Sequence, residues 1–472
     1  MVTTPDLTYM SATEMADAIT RRELSSREVT QATLDRIDRV NPKINAVVTR
    51  MDEEALSMAA AADDATTRGE SLGVLHGIPV SIKDLLGIKG VRATQGSLLY
   101  KDTIAEKDSP VVARLRRNGA VFVGMTNSPE FGMVGWTDNR VFGRTNNPWN
   151  VERIAGGSSG GAGAAVAAGM GPLAVGSDGG GSIRIPSAFN GIFGLKPTWN
   201  LVPKAGSPGG WTTMTHAGPM TRTVADAALM MDAIAGFDPA IPWSIEKPVA
   251  SYVEEIKKPL GRLRIGWSRD MGYAAVDHEV GDLAEAAARR FSDLGCEVEE
   301  AYPDWSELAG PRSPFVALAA AETSVGLGPL LETNRDDLAE YTVRFIEAGK
   351  DANLTSYFAA QLDRAAMWEK LNAFFGKYDL LLTPALATVA FPHGEQPREI
   401  GGREVPPFAW SPFTTAFNLT GVPAASVPAG FNSEGLPVGL QIVGPAFQDH
   451  LVLRAAAAFE EAAPWAQHRP QL

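Results

Sequence analysis

Between residues 77 and 127 the chain alternates short buried-looking strands with one amphipathic helix. "GIPVSIKD" (77–84) is a strand signal bounded by glycine and proline, and "AVFVGMTN" (120–127) is a second. Between them "SPVVARLRRNG" (109–119) has a serine N-cap, proline at the first helical position and glycine after the end. This strand–helix–strand rhythm predicts an α/β fold with helices covering a largely buried sheet. The same rhythm extends both ways. Residues 11–40 carry helical periodicity through Ala16, Ile19, Leu24, Val29, Leu34 and Ile37. "NAVVT" (45–49) reads as a strand and 53–67 as a helix. "PLAVGSD" (172–178), "GIFGLKP" (191–197), "LRIGWS" (263–268), "DLLLTPA" (379–385) and "PAASVPAG" (423–430) read as strands, with helices over 223–236 and within 313–376.

Length bears on domain count. A prior of 472 residues suggests about three domains, yet strands of one type recur from end to end. A single domain over 1–472 is expected, with 237–260 as an irregular surface excursion and a boundary near 240–260 as the alternative. A hydrophobic fraction of 45% with 21% charged residues suits a large core.

Several function classes fall away. The formal charge of −13 disfavours nucleic acid as the main ligand. No signal-peptide pattern opens the chain and no apolar run looks long enough to span a membrane, so a cytoplasmic protein without membrane attachment is expected. The one cysteine, Cys296, excludes an internal disulfide and a cysteine-based zinc site. The six histidines form no HExxH, and no Cys/His/Asp cluster has metal-ligand spacing, so no metal is expected. There is no Walker loop and no GxGxxG; no cofactor is expected.

Two glycine clusters remain. "AGGSSGGAGAAVAAG" (155–169) sets Ser158 and Ser159 between glycine pairs ahead of a buried-looking helix. Gly157, Ser159 and Gly161 formally match GxSxG, but that elbow must follow a strand, and "NNPWNVERIAG" shows no strand-like run. The second cluster, "GSDGGGSIRIPSAFNG" (176–191), ends a strand in Asp178 and continues through Gly179, Gly180 and Gly181 to Ser182 and Arg184. Consecutive glycines let backbone N–H groups converge on an anion such as a tetrahedral oxyanion; a plain glycine-rich turn is the commoner use. A serine nucleophile needs a base. Lys83, at the end of an apolar strand, would lose its proton more easily if desolvated, while a lysine snorkelling from a strand end is the ordinary alternative.

Together the three pieces are specific. Lys83 in GIPVSIKD, Ser158 in GGSSGG and Ser182 in SDGGGS stand 75 and 24 residues apart. In order, wording and spacing they resemble the amidase signature family of serine hydrolases, most densely over 76–227. Weaker matches include "LLLTPA", "FNLTGVPAASVP" and "GLPVGLQIVG". The resemblance implies the α/β fold of that family, a large mixed, mostly buried sheet covered by helices on both faces, and with it a cis peptide before Ser158, Ser182 as nucleophile, Ser158 as proton relay and neutral Lys83 as base. It also implies an oxyanion hole from the N–H groups of Gly179, Gly180, Gly181 and Ser182. Ser159, Asp178 and Arg184 would be supports. Threonine is frequent in the family at Gly179, and serine at Ala162; neither change touches these roles.

Two activities share that scaffold: a free-standing amidase, and the catalytic subunit of a tRNA-dependent amidotransferase. "TNSPEFG" (126–132) resembles stand-alone amidases, and the C-terminal "PWAQHRPQL" is similar to the ending of aminohexanoate-oligomer amidases. A small-molecule amide is the expected substrate, with carbamates (urethanes) and esters as further candidates. A homodimer is a family-level expectation. Substrate-pocket candidates are Trp136, Trp211, Trp410 and Phe413, with His216 and Phe408 nearby in sequence.

Overall fold

The computed structural model describes residues 6–206, 209–308 and 313–472. An eleven-stranded mixed sheet runs through the molecule. From one edge its strands are Val47–Arg50, Val121–Thr126, Pro79–Lys83, Leu173–Asp178, His216–Thr221, Phe193–Lys196, Ala424–Phe431, Pro437–Val443, Leu380–Pro384, Arg264–Trp267 and Glu297–Glu300. Pro79–Lys83 is parallel to both neighbours, which brings its C-terminal Lys83 to the same end as Asp178. The sheet includes strands from both sides of residues 237–260.

Side chains alternate between two packed layers, as a pleated strand requires. Leu380 and Leu382 enter one apolar cluster and Leu381 the other. Leu173 and Val175 face the first cluster, while Ala174 meets Val166 and Met220 on the opposite side. Both faces are buried, so polar alternation is missing from these strands.

Three expectations need correction, and one central strand goes beyond them. The 11–40 segment is two helices, Ala12–Thr20 and Ser26–Ile44, broken where Arg22 takes φ 60°. Ser25 and Glu28 close a reciprocal capping box on the second, the S-x-x-E pattern of a helix start. His216–Thr221 is a central strand despite Pro219, a residue that usually argues against one. "NVERI" does form a strand, Asn150–Ile154, but it pairs only with Asn146–Asn147 in a separate two-stranded ribbon. The GxSxG match therefore follows a strand, though not one of the main sheet. Finally, Pro314–Asp337 is long and apolar enough to cross a membrane by length and composition. About half of it is buried inside the protein, and Glu322 within it accepts a hydrogen bond from Tyr357 Oη at 2.9 Å.

Candidate active site

Lys83 ends its strand fully buried, at 0% exposure. Its Nζ lies 2.7 Å from Ser158 Oγ, 2.8 Å from Ser159 Oγ and 3.4 Å from the Ser177 carbonyl. Among the described residues no carboxylate stands within 4 Å of it. Burial drives the amine well below the usual lysine range; the Asp178 charge opposes this and the Lys204 charge reinforces it. A neutral amine with two hydroxyls in reach can accept a proton.

Ser158 and Ser159 occupy the turn into helix Gly160–Ala167. The Gly157–Ser158 peptide bond is cis, as the resemblance implied. Gly157 admits no side chain, since a Cβ there would sit 2.6 Å from the Trp136 nitrogen. Ser159 is doubly tied: its Oγ donates to the Ser177 carbonyl at 3.1 Å and accepts from the Ser177 N–H at 3.2 Å. Its N–H donates to the Ser182 carbonyl at 3.2 Å, which fixes the two glycine clusters against each other.

Asp178 organises the second cluster. Its carboxylate accepts from the Gly181 N–H at 2.7 Å and the Ile183 N–H at 3.1 Å. Arg184 donates to both carboxylate oxygens, through Nε at 3.1 Å and Nη2 at 3.0 Å. Arg184 is held in turn by the Thr414 carbonyl, Gln441 Oε1 and Asn418 Oδ1. Although burial alone would raise the Asp178 pKa, the Arg184 charge and hydrogen bonds outweigh it and hold the carboxyl below its usual range. This arrangement corrects one expectation: the Gly181 N–H is committed to Asp178, leaving Gly179, Gly180 and Ser182 as the backbone donors of the loop. Gly181 adopts φ +123°, a region closed to most side chains. Ser182, at 9% exposure, makes no side-chain hydrogen bond to Ser158 in this structure.

A cavity of about 690 Å³ opens over the site. Ser158, Ser177 and Gly179 line it, with Leu85, Phe131, Met133 and Trp211 as apolar wall. Trp211 is fixed by Nε1–H bonds to the Ala319 carbonyl at 3.1 Å and Thr323 Oγ1 at 2.9 Å, and meets Phe315 edge-on. The other aromatic candidates lie elsewhere. Trp410 and Phe413 are 1% exposed and belong to the apolar core, where Trp410 stacks on Phe189. Trp136 stacks on Phe408 away from the cavity lining. His216 is buried in its strand, with Nδ1 3.2 Å from the Asp178 carbonyl. Sequence reading missed Met133, Lys204 and Thr215 as lining residues. Phe131 lay within the quoted TNSPEFG, but nothing local marks it as facing a cavity. Among the described residues no group of three or more His, Cys, Asp or Glu side chains is placed to hold a metal ion.

Residues 28–453 match the Amidase family. The chain is 41% identical to an acylamidase of Rhodococcus erythropolis over 99% of this chain and 98% of the relative. It is 39% identical to a glutamyl-tRNA(Gln) amidotransferase subunit of Moorella thermoacetica, over 99% of each. The crystal structure of a bacterial aryl acylamidase of the amidase signature family superposes with a TM-score of 0.90 at 35% identity, covering 97% of both chains. With matches of this extent and a fold shared across their whole length, the chain belongs to the amidase signature family of amidases.

Proposed function

We propose that this amidase is a free-standing hydrolase of amides that works through an acyl-enzyme on Ser182. The observation that carries the reading is Lys83: a fully buried lysine with no carboxylate partner among the described residues, 2.7 Å from a serine hydroxyl. Ser182 Oγ attacks the carbonyl carbon as its proton passes to Ser158 and the Ser158 proton passes to the lone pair on Lys83 Nζ. The oxyanion meets the N–H groups of Gly179, Gly180 and Ser182, held by the Asp178 clasp. Reverse relay protonates the nitrogen, the C–N bond breaks, and the amine leaves. Water then attacks the acyl-enzyme by the same relay. Ser159 positions Lys83, being bound to its Nζ and to the Ser177 backbone.

A cavity of this size suits a small substrate, and its walls of Leu85, Phe131, Met133 and Trp211 favour aryl or alkyl groups on it. Carbamates and esters present the same carbonyl to the same nucleophile and are expected substrates as well. The similarity to amidotransferase subunits supports a second reading, in which the site releases ammonia from glutamine within a complex. A matched panel of anilide, alkyl amide, carbamate and ester, assayed with wild type and Ser182→Ala, separates the two. Serine-dependent turnover of the panel supports the hydrolase. Activity on glutamine only, in the presence of partner subunits, overturns it.

A further inference from the structure

The lining of the cavity over Ser158 carries more cations than carboxylates, in a protein of net charge −13. Five charged residues line it: Lys107, Asp108, Arg117, Lys204 and Asp238. Both carboxylates already have partners. Asp108 accepts from Arg116 at 2.7 Å and from the Lys89 N–H at 2.8 Å. Asp238 faces Arg114 Nε at 3.8 Å and accepts the Ala240 N–H. The three cations have no carboxylate within 4 Å among the described residues. Lys107 and Arg117 are exposed, but Lys204 is partly buried and its ammonium is turned inward, donating to Thr215 Oγ1 at 3.1 Å. Thr215 packs against the oxyanion loop: a Cβ on Gly179 would lie 3.1 Å from Thr215 Cγ2. One threonine therefore separates the Lys204 ammonium from the loop that receives the scissile carbonyl. A smaller cavity, of about 180 Å³, also ends on Lys204 and Thr215.

A desolvated cation with one hydroxyl partner has unused donors, and an anion would satisfy them. Because the whole molecule repels anions, a local cluster of unpaired cations acts as a selective entry for one. We propose that the substrate carries a carboxylate away from the scissile bond and that Lys204 binds it. The inference rests on the amide-hydrolase reading for the bond that is broken, while the recognition of the carboxylate stands on the cavity alone. Burial brings Lys204 down to about 8, so the ammonium form prevails at neutral pH. It gives way to the amine above that value.

Two matched pairs test the proposal. On the acyl side they are glutaryl and pentanoyl 4-nitroanilide; on the amine side, the pentanoyl amides of 4-aminobenzoate and 4-methylaniline. The expected result is a kcat/KM preference for the carboxylate member of at least one pair, which falls about 10- to 100-fold in Lys204→Met, is kept in Lys204→Arg, and declines in wild type above about pH 8. Lys83 acts on both members of a pair, so the ratio reports Lys204 and not the base. A ratio near one in wild type, or a ratio unchanged in Lys204→Met, overturns the proposal. Calorimetric binding of the same pairs to Ser182→Ala keeps this inference apart from the hydrolase reading. Tighter binding of the carboxylate member, lost with Lys204→Met, supports carboxylate recognition even without turnover. Equal binding of both members contradicts it.

Discussion

Arg184 holds Asp178 at 3.0 Å with both side chains at 0% exposure. The pair sits beneath the glycine loop, and the same carboxylate that neutralises Arg184 binds the N–H groups of Gly181 and Ile183. Loop shape and charge balance are thus one interaction. Asp178→Asn leaves a guanidinium buried without its counter-charge, and breaking such a pair costs about 3–5 kcal/mol. Urea unfolding of the variant is expected to show that loss, with kcat falling as the loop loses its shape. A variant of unchanged stability would remove Asp178 from this role.

The pair also sets an acid limit. Because the folded pKa of Asp178 lies below its ordinary 3.8, its contribution to stability is complete above pH 3.8 and is lost as pH falls through the folded value. Acid unfolding of wild type should therefore include a proton uptake that Asp178→Asn lacks. Potentiometric titration through the transition measures it.

Activity should follow the neutral form of Lys83. Its pKa lies well below the usual lysine range, so kcat/KM should rise with pH on the acid limb and reach its plateau far below the 10.5 of an ordinary lysine. An acid limb near that ordinary value would mean that the amine is protonated at neutral pH and cannot be the base.

Lys83 touches two serine hydroxyls, whose proposed roles are unequal. Ser158→Ala is expected to lower kcat by roughly 10²–10⁴, with amides hurt more than esters because the leaving amine needs the returned proton. Ser159→Ala removes a support and should cost less than Ser158→Ala on every substrate. Steady-state kinetics on an amide and ester pair reads both effects, and the reverse order would exchange the two serines.

Trp410 and Phe413 should behave as core. Their replacement by alanine is expected to cost about 3–5 kcal/mol in stability while leaving the ratio of kcat/KM between an aryl and an alkyl amide unchanged. Met133→Ala, on the cavity wall, should shift that ratio. Thermal melts and paired substrates distinguish the two groups.

What could be read from the sequence was what chain-local chemistry encodes. Strand–helix rhythm located most of the sheet, because buried strands are apolar throughout. His216–Thr221 was not read as a strand, and it carries Pro219, a residue that argues against a central strand. The meeting of Lys83 with Ser158 was legible because each sits in a motif of unusual wording at fixed spacing. The fate of the Gly181 N–H was not, since only the folded loop shows that Asp178 takes it. Of the four aromatic pocket candidates, all but Trp211 lie outside the cavity lining, for a related reason. Trp410 and Phe413 have the composition of a binding wall, yet the packing of Trp410 against Phe189 and Phe391 is a tertiary fact. Lys204, in a loop without a motif, gave no signal at all.

The most direct test of the central claim is rapid mixing of a slowly turned-over ester with enzyme, quenched in acid and analysed by intact mass and peptide mapping. The expected result is an adduct of the acyl mass on Ser182, absent in Ser182→Ala and formed slowly in Lys83→Ala. An adduct on Ser158 or Ser159, or wild-type turnover by Ser182→Ala, would contradict it.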